Sequence, residues 1–269
     1  MIPKLSIIIP CYNSQLTLEL TLQSVVEQEF KDWQAIIVND GSTDATEEIA
    51  LRWVENDKRI IYYSKLNEGL GKTRNFGITK SSGKYILPLD SDNLIEKTFA
   101  KKAVEILDSN DGIGVVHGHA EYFGERTGIW KIDEFNLEKI LVGNYIDACA
   151  IFRKRLWSQI GGYDEHMPFQ GEEDWGLWIA LGELNVNFYH LNQITFKYFV
   201  SSKSMIRSFT SEMADLNRDY LVKKYSKLYY RIFKKNQTSI NDYYINLKSE
   251  KFIINCFTKM FLGFEFFKK

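Results

Sequence analysis

No stretch of this chain reaches the roughly 18 uninterrupted apolar residues of a membrane-spanning helix, so an integral membrane protein of that kind is excluded. Cysteine is scarce. Cys11, Cys149 and Cys256 lie far apart and form no CxxC pair, so no disulfide framework is expected and a reducing cytoplasm fits best. No signal peptide is expected either, because Met1 to Lys4 run straight into a strand-like segment. Internal repeats and low-complexity linkers are absent. An overall excess of one charge is missing too: 34 Lys and Arg balance 35 Asp and Glu, and no nucleic-acid partner is expected. The balance is uneven along the chain, however. From Ser201 onward fourteen basic residues face six acidic ones, whereas before it twenty face twenty-nine. That asymmetry suits an acidic body with a basic tail that meets an anionic surface, or simply solvated helix faces.

What is present is enough apolar material for a full core: 45% of 269 residues, one large α/β domain or one domain plus an appendage. Leu5 to Pro10 is a β-branched run closed by proline, which suits a strand end. Ser14 to Gln28 has helical spacing through Leu18, Leu22, Val25 and Val26, with Ser14 as N-cap. Trp33 to Val38 is a second strand, a helix capped by Thr43 or Asp44 follows to about Val54, and Ile60 to Ser64 is a third strand. A helix over Lys72 to Thr79 precedes the strand that ends at Asp90. This alternation predicts a parallel, doubly wound sheet. Beyond it, helix is expected over Glu96–Leu107 and Glu172–Leu181, and strand over Ile113–His119 and Ile146–Phe152. Two short strands are expected within Val186–Tyr198. Gly124 to Asn144 reads as an irregular, mobile loop, and the chain after about Ser204 as mainly helical.

The most informative feature is an acidic pair at a strand end: Tyr85-Ile86-Leu87-Pro88-Leu89, then Asp90-Ser91-Asp92-Asn93. Carboxylates stripped of water must be paired, hydrogen-bonded or metal-bound. At the carboxyl end of a strand in an open α/β sheet, where ligands sit, two hard oxygen donors suit Mg²⁺ or Mn²⁺ held against phosphates. A surface turn explains the same residue types. Three other strand ends also carry polar clusters: Pro10-Cys11-Tyr12-Asn13, Asn39-Asp40-Gly41-Ser42, and Asn67 with Gly69 and Gly71. In a parallel sheet all four fall on one edge and form one site. Tyr12 offers a face for a base, Asp40 an acceptor for an imide N–H, and Gly41 close backbone approach. Lys72 and Arg74 offer cations for phosphate oxygens. Gln170-Gly171-Glu172-Glu173-Asp174 places three carboxylates where a helix begins. They are a capping cluster favoured by the helix dipole, or one of them faces the cleft as a general base.

In order and spacing these stretches resemble family 2 glycosyltransferases with a GT-A fold. The resemblance rests on Ser6 to Asn13, Val38 to Asp44, Asn67-Glu68-Gly69 through Gly77, Asp90-Ser91-Asp92, Gly161-Gly162-Tyr163-Asp164 and Glu173-Asp174-Trp175. It implies a Rossmann-like, mostly parallel sheet flanked by helices over residues 1–203, with a nucleotide-sugar half to about 95 and an acceptor half over 96–203. A helical, basic extension over 204–269 would follow. It also implies an inverting, metal-dependent hexosyltransferase acting on a nucleotide-sugar donor, a UDP-sugar, and on a saccharide or lipid-linked saccharide acceptor in cell-envelope polysaccharide synthesis. By position, Pro10, Tyr12, Asn13, Asp40, Asn67, Lys72, Arg74 and Ser91 would serve the donor. Asp90 would lie near the ribose and the metal, and Asp92 would be the main metal ligand. Asp174 would be the general base, with Glu173 beside it and Trp175 lining the acceptor pocket. The chain departs from the family at Gly176 and at Tyr198-Phe199-Val200-Ser201, where Arg and His are usual; Lys203 or Arg207 would substitute electrostatically.

Two competitors stand beside this reading. A nucleotidyltransferase making sugar nucleotides would need a glycine-rich basic loop after the first strand, where this chain has Cys11-Tyr12-Asn13-Ser14. A non-catalytic nucleotide-sugar-binding protein would not need both Asp92 and Asp174. At the other end, Phe252, Ile253, Cys256, Phe257, Met260, Phe261 and Phe264 share one helical stripe near Lys251, Lys259, Lys268 and Lys269. Such a segment lies at the inner face of a membrane, or packs on its own domain or a dimer partner.

Overall fold

The computed structural model describes residues 2–201, 209–246 and 249–267. The chain divides into two compact units, Met1–Tyr220 and Leu221–Lys269.

The first unit is organised by a nine-stranded sheet. Its strands are β1 (Leu5–Cys11), β2 (Trp33–Asp40), β3 (Ile60–Lys65), β4 (Tyr85–Pro88), β5 (Leu94–Ile95), β6 (Ile113–Gly124), β7 (Gly128–Trp130), β8 (Ile151–Arg153) and β9 (Asn187–Val200). The spatial order is β3-β2-β1-β4-β8-β6-β9-β5, with β7 paired to β6. β1 to β4 are mutually parallel, β8 runs against both its neighbours, and β6 and β9 are parallel to each other. Every residue of β1 and β2 is buried, which is why these strands read as continuous apolar runs rather than alternating ones. The crossovers are α1 (Leu18–Val26), α2 (Thr46–Asn56) and α3 (Leu70–Lys80); α4 (Phe99–Ser109), α5 (Leu137–Val142), α6 (Lys154–Ile160) and α7 (Glu173–Glu183) follow. The expected alternation therefore forms, and the polar turns after β1, β2, β3 and β4 share one edge.

Pro10 sits inside β1, one residue before its end. The Ile8 carbonyl accepts from Leu89 N at 2.9 Å, so Pro10, two residues on, turns its nitrogen to the same side. The β1–β4 ladder has already ended at Ile8↔Pro88, and the missing N–H deprives no partner.

Elsewhere the structure departs from the sequence pattern for identifiable reasons. Ser14 does not cap α1 with its hydroxyl, which meets Ser91 Oγ at 2.7 Å; its carbonyl instead accepts from Thr17 N and Leu18 N. Val186 to Tyr198 forms one long strand, not two, because pairing with β6 runs through register shifts around Gly118 and His119. Strand in the 146–152 region begins only at Ile151, since Asp147 Oδ1 accepts from Cys149 N at 2.8 Å and turns the chain. The expected irregular loop over 124–144 contains the β6–β7 hairpin and α5, whose N-cap Asn136 accepts from Lys139 N at 3.0 Å.

α8 (Ser211–Lys224) contains the division between the units. The second unit continues with α9 (Ser226–Asn246) and α10 (Glu250–Leu262).

Candidate active site

The four polar turns are tied to one another by hydrogen bonds. Asn13 sits in the left-handed region at φ 51°, a conformation asparagine tolerates better than most residues. Its N–H donates to Ser42 Oγ at 2.9 Å, and its side-chain oxygen accepts from Thr43 N at 2.9 Å. Ser14 N donates to Thr46 Oγ1 at 2.7 Å. Asp44 accepts from Thr46 N and Gln15 N, so the start of α2 is served without Asp40.

Asp40 is 4% exposed and does different work. It accepts from Lys65 Nζ at 2.5 Å, Glu68 N at 3.0 Å and Gly69 N at 2.8 Å. Its carboxylate holds the 67–69 turn and is engaged within the protein. Gly41, at φ 73°, makes this approach feasible: a Cβ there would lie 2.9 Å from Asn67 N. The close neighbour of Gly41 is thus Asn67 itself. Tyr12 is 56% exposed and presents a free aromatic face at the same edge. Asn67 is exposed, and Lys72, half-exposed, has Glu68 at 3.8 Å. Lys72 lines a small, shallow cleft with Gly71, Gln170 and Glu173.

Arg74, on α3, is the hinge between the two halves of the site. Its side chain is 3% exposed and donates to Asp90 Oδ1 at 2.6 Å, with Glu173 Oε2 3.7 Å away. It also lies 5.5 Å from the centre of the Tyr163 ring. A buried guanidinium between two carboxylates fixes both. It binds the turn after β4 to the first turn of α7 and has no solvent-facing surface to offer a nucleotide. Glu173 reinforces this by accepting from Gly171 N at 2.9 Å. Gln170 Oε1 accepts from Leu70 N and so caps α3 from the opposite loop. One residue further along α3, Asn75 satisfies all of its side-chain hydrogen-bonding capacity. It donates to Tyr163 O and Glu165 Oε1, and accepts from Trp157 Nε1 and Tyr163 N. The Gly161–Glu165 turn is thereby fastened to the nucleotide half.

Asp174 follows Glu173 in the first turn of α7. Burial raises its carboxyl to about 7; Arg74 opposes this, and Glu173 and Asp90 add to it. Asp92 is also raised to about 7, by burial and then by Asp90. Tyr198, on β9, has its hydroxyl raised by burial and by the charges of Asp147, Asp90, Asp92 and Asp174. All four carboxylates are thus within electrostatic reach of one phenol and lie in the same region of the fold. Asn93 assists, since its side-chain oxygen accepts from Phe199 N at 3.0 Å and draws this end of β9 to the Asp92 turn.

Asp90 and Asp92 are a hard-oxygen pair, and the repulsion that Asp90 exerts on Asp92 is one a divalent cation would relieve. Among the described residues no group of three or more His, Cys, Asp or Glu side chains is arranged to hold a metal ion.

One placement differs from the sequence expectation. Trp175 is 2% exposed and donates its indole N–H to Ile140 O at 2.6 Å, so it anchors α5 to α7 inside the core. It presents no surface to an acceptor. Lys203 and Arg207 lie outside the described residues. Asp147, which the sequence reading passed over, is held far above its ordinary value by burial, then by Asp90 and Asp174; its signal was a lone carboxylate inside the apolar run Ile146–Phe152. Asn217 was passed over as well. It is fully buried on α8, accepts from Phe169 N, and donates to Phe169 O and Glu172 Oε2, so it braces the loop that leads into Asp174.

Comparison with known proteins identifies the family and the fold. The model of the family described as "Glycosyl transferase family 2" matches residues 6–163, more than half of the chain. An uncharacterized glycosyltransferase of Rickettsia bellii is 32% identical over 196 residues, which cover 68% of this chain and 27% of that protein. The chain thus spans about a quarter of that relative's length. Among solved structures, S. aureus TarS (residues 1–349) in complex with UDP-GlcNAc superposes with a TM-score of 0.67 at 21% identity, over 79% of this chain and 64% of the other. The mannosyltransferase PcManGT from Pyrobaculum calidifontis, in complex with GDP-Man and Mn²⁺, gives 0.58 at 16% identity, over 76% and 59%. The chain belongs to glycosyl transferase family 2, and its fold is of the GT-A type.

Proposed function

We propose that this glycosyltransferase moves a hexose from a UDP-sugar to a hydroxyl of a saccharide, free or lipid-linked, with inversion, in cell-envelope polysaccharide synthesis in the cytoplasm. The observation that carries the reading is that Asp90, Asp92 and Asp174 all lie within electrostatic reach of Tyr198, with Arg74 joining Asp90 to Glu173, the neighbour of Asp174. TarS was captured with UDP-GlcNAc, which favours a UDP-sugar.

Tyr12 stacks on the base. Asp40, Asn13, Asn67 and Pro10 shape the turns beside it, and Ser91 and Lys72 approach the ribose and the phosphates. Asp90 and Asp92 would hold Mg²⁺ or Mn²⁺, which when bound supplies charge neutralisation for the departing nucleoside diphosphate; the Mn²⁺ of PcManGT favours this. Asp174 takes the proton from the acceptor hydroxyl. That oxygen forms its bond to the anomeric carbon as the bond to the diphosphate oxygen breaks, on opposite faces of the sugar. A carboxyl raised to about 7 suits a base working near neutrality.

The test is a panel of nucleotide sugars with saccharide acceptors, measured as nucleoside diphosphate released and glycoside formed. Asp174→Asn should keep donor binding and lose transfer. Transfer unaffected by that substitution, or no donor bound by the wild-type chain, would overturn the proposal.

A further inference from the structure

The second unit wears its amphipathic character inside out. On α10, Ile253, Ile254, Phe257, Met260 and Phe261 recur at helical spacing on one side, and all are exposed. Met260 is 80% exposed and Phe261 64%. The opposite side is covered instead: Thr258 is buried, and Asn255 is occupied with the segment that follows the helix. Gly263, at φ 78°, ends α10 and turns the chain back. Asn255 then donates to Phe267 O and accepts from Phe267 N, both at 2.7 Å. Lys259 pairs with Glu265 at 2.9 Å, and Lys251 lies over the Phe267 ring. The turn is built by its own hydrogen bonds, and it leaves Leu262, Phe264 and Phe266 more than half exposed. A helix that buries threonine while displaying phenylalanine and methionine has its apolar face left uncovered by its own unit.

We propose that this face docks on an anionic lipid surface. Charge decides between the candidate occupants. Residues 221–269 carry eleven Lys and Arg against three Asp and Glu, so a second copy of this unit would meet the first with like charge, whereas acidic headgroups complement it. Polybasic character together with a compact group of aliphatic and aromatic side chains matches insertion at the boundary of headgroup and acyl chain. The inference stands apart from the catalytic reading, since it concerns only where the chain resides.

The experiment is flotation of the full chain with phosphatidylcholine vesicles, with and without about 30 mol% phosphatidylglycerol. The expected result is binding to anionic vesicles, weakening as salt rises from about 0.1 to 0.5 M, and little binding to neutral ones. Phe257→Ser/Phe261→Ser/Phe264→Ser should lower the partition coefficient about a hundredfold or more. Lys251→Gln/Lys259→Gln should lower it roughly twenty-fold, at about fivefold per charge. The three phenylalanines are exposed, so the melting temperature and helix content of the triple variant should match the parent and exclude misfolding as the cause. Equal binding to neutral vesicles, binding unchanged in the triple variant, or a concentration-dependent dimer that the triple variant dissolves would overturn the proposal.

Discussion

Asp174→Asn should make the protein more stable at pH 8 while removing its activity. In the folded chain burial holds this carboxyl near 7, whereas in the unfolded chain it titrates near 3.9. Between these values the native state binds the extra proton, so stability falls as pH rises from about 4 to about 7 and is flat above. A shift of about three pKa values corresponds to roughly 4 kcal/mol as an upper limit, at about 1.4 kcal/mol each. Asp174 is partly reached by solvent, and about half of that, ~2 kcal/mol, is the reasonable expectation. Asparagine does not ionise and escapes this loss. The variant should therefore melt about 4–8 °C above wild type at pH 8 for a domain of this size, and within about 2 °C of it at pH 4. Asp92 imposes a slope of the same sign, but it is present in both proteins and cancels in the difference. The measurement is Tm against pH from 4 to 8, in EDTA so that no divalent ion pairs with the cluster. In parallel, wild-type kcat/KM should rise with pH through about 7 and level off, since the base works only when deprotonated. Equal Tm differences at pH 4 and pH 8 would refute the assignment of a raised carboxyl. Retained transfer in Asp174→Asn would move the base to another group, with Asp147 the first to examine.

Three other outcomes test the frame around that carboxyl. Asp92→Asn should remove at least about tenfold of the Mn²⁺-dependent gain in UDP affinity and leave the affinity in EDTA unchanged, as read by calorimetry; an undiminished Mn²⁺ effect would discard Asp92 as the ligand. Arg74→Met strands Glu173, buried at 3%, beside a partly exposed Asp90, and should cost about 3 kcal/mol in urea unfolding; a loss under about 1 kcal/mol would mean that the pair is not what joins α3 to α7. Asn217→Ala leaves the backbone groups of Phe169 without their partner and should destabilise by about 2 kcal/mol. It should lower kcat more than it weakens donor binding, and restoration by Asn217→Gln would show that the hydrogen bonds, not the volume, matter.

The convergence of the strand-end turns was legible because a parallel sheet obliges it: once β1 to β4 were recognised from buried β-branched runs, Asn13, Asp40, Asn67 and Asp90 had to share an edge. What the residues do there was less legible. Asp40 and Arg74 carry the charges expected of ligand contacts, yet both are engaged by the protein, one by Lys65 and the 68–69 amides, the other by Asp90 and Glu173. Those partners come from 16 to 99 residues away, and only the folded chain sets them against each other. The same holds for Trp175, where a tryptophan beside the base suggested a stacking surface and the indole N–H instead found the Ile140 carbonyl. Ser14 misled in a related way, because a hydroxyl that caps locally in one context is claimed by a distant group in another.

These displaced roles share a direction. Arg74, Asn75, Gln170, Glu173 and Asn217 all spend polar groups joining segments distant in sequence, and each makes at least one joint on the stretch from Tyr163 to Glu173 that leads into Asp174. Meanwhile Asp92, Asp147 and Asp174 are left with burial and mutual repulsion raising them. A fold under no constraint but stability would exchange the two arrangements, pairing the raised carboxylates and relaxing the loop. Keeping that loop fastened while the carboxylates stay destabilised is what the proposed roles of Asp92 toward a cation and of Asp174 toward an acceptor proton require.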